Sequence, residues 1–236
     1  MPTVLITGGN RGIGLELVRQ YAAGGWQVLT TARKPESEAA LQELCEQYPQ
    51  HIEVFALEVT SQATVGYLAT ALAGRPIDIL INNAGTFGPK GAPEGMAYQS
   101  LSFMDYGLWR EMLEVNLLAP FHIAVELRRN LVRSERPVLI NMASGLASIG
   151  GNRMGMSYAY RSSKAGLNML TKGMAVEWQD IIVVSMAPGW CKTDLGGEFA
   201  EVDTAESVRD QLRTYSKLTL ADSGRFIDRF GETVPW

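Results

Sequence analysis

The sequence predicts a single doubly wound α/β domain with a mainly parallel sheet, and three observations carry that prediction. Short apolar, β-branched runs alternate with longer amphipathic stretches along all 236 residues. The runs are apolar throughout, as in strands covered on both faces. Glycine-rich loops follow several of them, where open α/β sheets bind ligands.

The first run, residues 3–7, gives way at Gly12 to a helix reaching to about residue 23, with Ile13, Leu17, Val18 and Tyr21 at helical spacing. The same switch of period places strands at 27–32, 52–57, 77–81, 138–142 and 181–186, with a late short one near 226–227. Helices are expected at 36–48, 62–73, 107–133, 157–178 and 204–216. No linker, fixed-period repeat or charge block divides the chain, so residues 1–236 read as one domain. Loops at about 86–98, 145–157 and 189–203 follow strands of the same sheet and predict one site at its carboxyl edge.

Composition narrows the function. With 21 Lys+Arg against 25 Asp+Glu the formal net charge is −4, which offers no basic field for a nucleic acid or an anionic membrane. No run of about 18 apolar residues could span a bilayer. The start Met1-Pro2-Thr3-Val4 lacks the order of a signal peptide, so the expected compartment is the cytoplasm. Cys45 and Cys191 are too far apart in sequence to form a framework, and with only His51 and His122 beside them no zinc ligand set is expected. Gly-x-Ser-x-Gly is absent, which leaves a hydrolase elbow unsupported.

Thr7-Gly8-Gly9-Asn10-Arg11-Gly12-Ile13-Gly14 lies at the first strand–helix junction. Glycines there permit positive φ and close approach of a pyrophosphate, and free N–H groups at the helix start attract its charge. The spacing is not Gly-x-Gly-x-x-Gly, and the Lys-Ser/Thr of an ATPase phosphate loop is missing, so position in the βαβ series carries the reading. The second strand ends Thr30-Thr31-Ala32-Arg33-Lys34, with no carboxylate until Glu36 to read a ribose 2′-hydroxyl. Arg11 and Arg33 can instead grip a 2′-phosphate, which favours NADPH over NADH.

Tyr160 and Lys164 are one helical turn apart and share a face. A neighbouring ammonium favours the ionised phenol, so the pair can exchange a proton with a substrate. Tyr-x-x-x-Lys alone is a weak motif; its company gives it weight. In order along the chain stand the 7–14 loop, Asn82-Asn83-Ala84-Gly85, Asn116, Ser144, Tyr160 and Lys164, then Pro188-Gly189 and Thr193. On these motifs the whole chain resembles the short-chain dehydrogenase/reductase family. The stretches 158–169 and 188–197 and the ending 231–236 resemble its C-factor and sniffer-type carbonyl reductase branch.

The resemblance implies a Rossmann-type domain of about seven strands in the order 3-2-1-4-5-6-7 and an NAD(P)(H)-dependent oxidoreductase. It implies that Tyr160 protonates the carbonyl oxygen, Ser144 hydrogen-bonds it, Lys164 holds the nicotinamide ribose and lowers the tyrosine pKa, and Asn116 positions a relay water. Thr7, Gly8, Asn10, Arg11, Gly12, Ile13, Gly14, Arg33, Glu58, Val59, Asn83, Ala84, Gly85, Pro188, Gly189 and Thr193 would then contact the cofactor with Tyr160 and Lys164. Three departures from the family pattern stand out. Glu58 replaces a common Asp, Ala143 precedes Ser144 where a Ser-Ser pair is common, and the gap from Ser144 to Tyr160 is long. Ser148 is the fallback for the hydroxyl role.

The expected substrate wall is Phe87, Met154, Met156, Trp190 and Leu195, which suits an apolar aldehyde or ketone. Two other readings compete: an NAD-dependent alcohol dehydrogenase running oxidatively, and a dinucleotide-binding sensor or signalling protein of C-factor type. The family's habit of pairing the helices placed at 107–133 and 157–178 implies a homodimer or homotetramer.

Overall fold

In the computed structural model, which describes residues 1–89, 91–92 and 94–236, seven parallel strands form one sheet. They are β1 (Thr3–Ile6), β2 (Gln27–Ala32), β3 (Ile52–Ala56), β4 (Ile79–Asn82), β5 (Val138–Met142), β6 (Ile182–Ala187) and β7 (Phe226–Asp228), in the order β3-β2-β1-β4-β5-β6-β7. The helices are α1 (Gly12–Ala23), α2 (Ala39–Gln47), α3 (Gln62–Ala71), α4 (Tyr106–Leu113), α5 (Ala119–Leu131), α6 (Tyr158–Glu177) and α7 (Thr204–Lys217). The predicted loop 86–98 includes positions 90 and 93, which lie outside the described residues.

Side chains alternate between the faces of a strand, and here the two faces differ in composition. Val4, Ile6, Val28, Ile79, Ile81, Val138, Ile140, Ile182 and Val184 pack under α1, α2 and α7. Leu5, Leu29, Leu80 and Leu139 form most of the opposite face, against α3, α5 and α6. Every one of these strand residues is buried, as strands covered on both sides require.

The stretch 107–133, expected as one helix, is interrupted. Between α4 and α5 the chain widens into a π-helical turn over Glu114–Leu118, and the Ala119 N–H donates five residues back to the Glu114 carbonyl. The cause is Pro120, which has no N–H for the α-helical bond to the Asn116 carbonyl. The widened turn puts Asn116, fully buried, opposite the end of β4. The stretch 36–48 is likewise a 3₁₀ turn, Pro35–Ser37, followed by α2.

Across the leucine face runs a polar row in register, Asn82 on β4, Asn141 on β5 and Ser185 on β6. The Asn82 amide donates to Asn141 Oδ1 at 2.9 Å and to the Pro120 carbonyl at 3.0 Å, and the Asn141 amide donates to Thr171 Oγ1 on α6 at 2.9 Å. These bonds tie α5 and α6 to the strands that end at the site. Asn141→Leu keeps the volume but strips buried partners from Asn82 and Thr171, so it should lower the unfolding free energy by about 1–3 kcal/mol. Adding Asn82→Leu should recover part of that loss, and a double-variant cycle by urea denaturation measures it.

Candidate active site

Along the carboxyl ends of the strands lies a cavity of about 1070 Å³. One end is built from backbone. Thr7, just past β1, accepts hydrogen bonds at its hydroxyl from the N–H groups of Asn83 and Ala84 at 3.0 and 3.1 Å. The Asn83 amide donates back to the Thr7 and Gly8 carbonyls at 3.0 and 3.1 Å. This exchange sets the course of the glycine loop, and Gly8, Asn10, Arg11, Gly12, Ile13 and Gly14 line the cavity.

A Cβ at Gly14 would stand 2.1 Å from the Gly8 carbonyl oxygen, and Gly12 has φ +54. The Arg11 side chain does not cap α1, and the residue's backbone is extended. The first N–H groups of α1 therefore remain available for an anion at the cavity wall. A dinucleotide pyrophosphate fits this cradle, where glycines at 8, 12 and 14 bring main chain to the cavity and the start of α1 faces it.

The other end carries titratable groups. Tyr160, Lys164 and Ser144 line the cavity together. Burial pushes the Tyr160 phenol up to about 12, while a hydrogen bond with Ser144 draws it part of the way back. Burial brings the Lys164 ammonium down to about 8. Lys164 Nζ donates to the Met142 carbonyl at 2.8 Å and lies 5.9 Å from the Tyr160 ring centroid. Burial of the phenol therefore dominates, and what opposes it is the hydrogen bond with Ser144 rather than the expected lowering by Lys164.

Asn116 stands behind the cavity wall rather than on it. Its amide donates to the Thr86 carbonyl at 2.8 Å and to Ser163 Oγ at 3.1 Å, and its Oδ1 accepts from the Thr86 N–H at 2.8 Å. A Cβ at Gly85 would lie 3.2 Å from Asn116 Oδ1 and 3.4 Å from Lys164 Nζ, so both groups close in on the same glycine.

Glu58, Val59, Arg33, Asn83, Ala84, Gly85, Pro188, Gly189 and Thr193 all line the cavity, as do Phe87, Met154, Trp190 and Leu195. Two expected wall positions fall elsewhere. Thr7 lies beneath the glycine loop, where its hydroxyl is used up as described. Met156 sits in a left-handed turn (φ 56) just before α6, and its carbonyl accepts from Arg161 Nε at 3.0 Å. Ser148, buried, closes a turn by accepting from the Gly151 N–H at 2.9 Å and does not line the cavity, whereas Ser144 does. Arg11 is engaged by the Asp194 carboxylate at 3.3 Å, an exposed pair that spans the mouth.

The sequence reading missed the wall formed by Asp228, the last residue of β7, and by Arg229, Phe230 and Val234 after it. The rule that ligands bind beyond carboxyl strand ends applies to the seventh strand as to the others and could have found it. Cys191 also lines the cavity, with its thiol raised by burial. His122 pairs with Glu126 at 3.7 Å on α5. Among the described residues no group of His, Cys, Asp and Glu gathers to hold a metal ion, and no helix is long and apolar enough to cross a membrane.

A seven-stranded parallel sheet in this order, with a glycine cradle and a Tyr/Lys/Ser cluster lining one cleft, defines a dinucleotide-dependent oxidoreductase. Residues 2–203 match the family model for short chain dehydrogenases. Sniffer, a carbonyl reductase of D. melanogaster, superposes with a TM-score of 0.90 at 30% identity over 100% of both chains. The NADPH-bound carbonyl reductase from chicken fatty liver superposes with a TM-score of 0.88 at 31% identity, covering 100% of this chain and 99% of that one. The C-signal protein of Myxococcus xanthus is 34% identical over 170 residues, 71% of this chain and 98% of its own. The chain belongs to the short chain dehydrogenase family and is an NAD(P)-dependent oxidoreductase.

The buried ammonium has a measurable consequence. Its penalty is in full force below about pH 8 and is relieved as pH rises toward the ordinary 10.5, because in that window the unfolded chain binds the extra proton. Relative to Lys164→Met, the wild-type unfolding free energy should rise by on the order of a few kcal/mol across this window, read from urea melts at stepped pH.

Proposed function

We propose that the protein reduces apolar aldehydes or ketones to alcohols with NADPH. A bound nicotinamide dinucleotide supplies the hydride. The observation that carries the reading is the placing of the Tyr160 phenol, the Ser144 hydroxyl and Lys164 in one cavity with the glycine cradle. A phenol held near 12 stays protonated at neutral pH and is a competent donor to a carbonyl oxygen as negative charge develops there. Ser144 shares that oxygen by hydrogen bonding. Lys164, one helical turn from Tyr160 and hydrogen-bonded to the Met142 carbonyl, is poised near neutrality to pass a proton.

Phe87, Met96, Leu146, Met154, Trp190 and Leu195 give the substrate end an apolar wall. That wall favours hydrophobic carbonyl compounds, and methionine permits breadth. The NADPH-bound carbonyl reductase among the similar structures supports the same cofactor. Exposed apolar residues on α5 and α6, including Phe121, Val125, Met169 and Val176, support association of two copies through these helices.

Turnover is expected with NADPH and a panel of aromatic aldehydes, diketones and quinones, followed by loss of cofactor absorbance. Tyr160→Phe should cut kcat by at least roughly a hundredfold, and turnover surviving that change would remove Tyr160 from the mechanism.

Cofactor choice is separable from chemistry. Arg33 is exposed at the cavity mouth, while Arg11 is shared with Asp194. Arg33→Ala should weaken NADPH roughly tenfold and leave NADH nearly unchanged. Asp194→Asn should release Arg11 and tighten NADPH by about two- to fivefold, the scale of an exposed ion pair. Fluorescence titration with both cofactors reads each change. Tighter binding of NADH than NADPH by the wild type would instead favour the NAD-dependent alcohol dehydrogenase reading.

A further inference from the structure

Helix α6 carries Tyr160 in its first turn but does not cap itself. Its N-cap, Ser157, is in the left-handed region with φ 51, and among the described residues its buried hydroxyl has no hydrogen-bond partner. Gly155 and Met156 before it are left-handed as well. The first N–H groups of the helix need acceptors, and two of them find theirs on a single distant residue. The Tyr158 N–H donates to the Gln99 carbonyl at 3.1 Å, and the Tyr160 N–H donates to Gln99 Oε1 at 2.8 Å.

The other half of the same amide faces the loop after β4. Gln99 Nε2 donates to the Phe87 carbonyl at 3.0 Å and to the Gly95 carbonyl at 3.3 Å. Gln99 is fully buried, so these bonds have no competing water. The Phe87 ring meets the Tyr160 ring edge-on with centroids 4.8 Å apart. Ala92 and Met96 of the same segment line the cavity.

We propose that Gln99 is a positioning residue that fixes the Tyr160 hydroxyl relative to the substrate wall. A cap supplied by Ser157 would satisfy the helix end without reference to anything else. A cap supplied by Gln99 ties the backbone at Tyr160 to the backbone at Phe87 and Gly95, so the proton donor and the wall that aligns the carbonyl move as one body. Both functions of the amide are needed: an acceptor for Tyr160 and a donor for the loop carbonyls. Glutamate keeps the acceptor and, when ionised, lacks the donor; methionine keeps the approximate length and lacks both. The inference rests on Tyr160 as the proton donor of the reaction proposed above.

The test compares wild type, Gln99→Glu, Gln99→Met and Tyr160→Phe in the full chain with NADPH and one aromatic aldehyde. Both Gln99 variants should bind NADPH within about twofold of wild type, because the glycine cradle is untouched. The methionine variant should lose roughly ten- to a hundredfold in kcat with little change in KM, the scale of a catalytic group displaced by a fraction of an ångström. In the glutamate variant, kcat divided by the wild-type value at the same pH should rise as pH falls, since a protonated carboxyl regains a donor. A loss of packing alone would not produce that trend, and the division cancels the titration of Tyr160 and Lys164.

Unchanged kcat in Gln99→Met, or a loss confined to KM or to NADPH affinity, would overturn the proposal while leaving the Tyr160 reading intact. If the methionine variant fails to fold, a pH-independent ratio in Gln99→Glu overturns it equally. Full turnover by Tyr160→Phe would overturn the underlying mechanism and the proposal with it.

Discussion

The exchange of hydrogen bonds between Thr7 and Asn83 joins the ends of β1 and β4, the two central strands at which the sheet order reverses direction. From β1 the chain runs outward to β3, then returns to the other side and continues to β7. The helices that follow β1 and β4 therefore lie on opposite faces, and a crevice opens between them. A crevice in this position is useful only if the turns above it stay low. The threonine hydroxyl and the asparagine amide hold both turns down by taking up backbone groups that would otherwise need water or a partner of their own. The glycine loop then presents main chain where a side chain would fill the space. At Gly14 even a methyl group would collide with the Gly8 carbonyl. The rest of the site is built outward from this fixed edge.

At the opposite end the fold accepts unfavourable terms. A lysine and a tyrosine are buried together, and both are displaced away from their charged forms by desolvation. Two non-glycine residues in succession, Met156 and Ser157, adopt positive φ just before the helix that carries them. Such conformations cost of order 1–3 kcal/mol each and persist only where surrounding contacts over-determine them. Here those contacts are visible: the Met142 carbonyl on Lys164, the Ser144 hydroxyl at the phenol, and the borrowed cap on α6. Strain and burial coincide at the residues that meet the cavity, while the sheet beneath is regular.

What was legible in the sequence follows from the range of each interaction. The strands and most helices could be placed from periodicity, because burial on both faces writes itself locally into runs such as Val4-Leu5-Ile6. The glycine loop and the Tyr160/Lys164 turn were legible for the same reason, each being a short segment with its own geometry. The π turn before α5 had a local signal in Pro120, but an apolar helical period masks a single missing donor. The bond from Tyr160 to Gln99 joins residues 61 apart, and the Arg11–Asp194 pair joins residues 183 apart. Neither has a periodic trace, because both depend on the courses of irregular loops. Burial of the Lys164 ammonium was invisible for a further reason: spacing shows that it neighbours Tyr160, not how much water either retains.

The two halves of the cavity are consequently built on different principles. The cofactor half is backbone, glycine and strand ends, where almost any side-chain change meets main chain. The substrate half is made of loops that hold one another. The Ala92 N–H donates to the Leu195 carbonyl at 3.1 Å, and the Gly150 N–H donates to the Trp236 carbonyl at 2.7 Å. Trp236 in turn stacks on Phe226 of β7. Because each loop rests on another loop or on the chain end, the apolar wall can be reshaped residue by residue while the sheet and the cradle stay as they are. A scaffold divided in this way keeps its fold at about 30% identity to the similar reductases, and Gln99 stands at the boundary, with one side of its amide on the loops and the other on the helix of the proton donor.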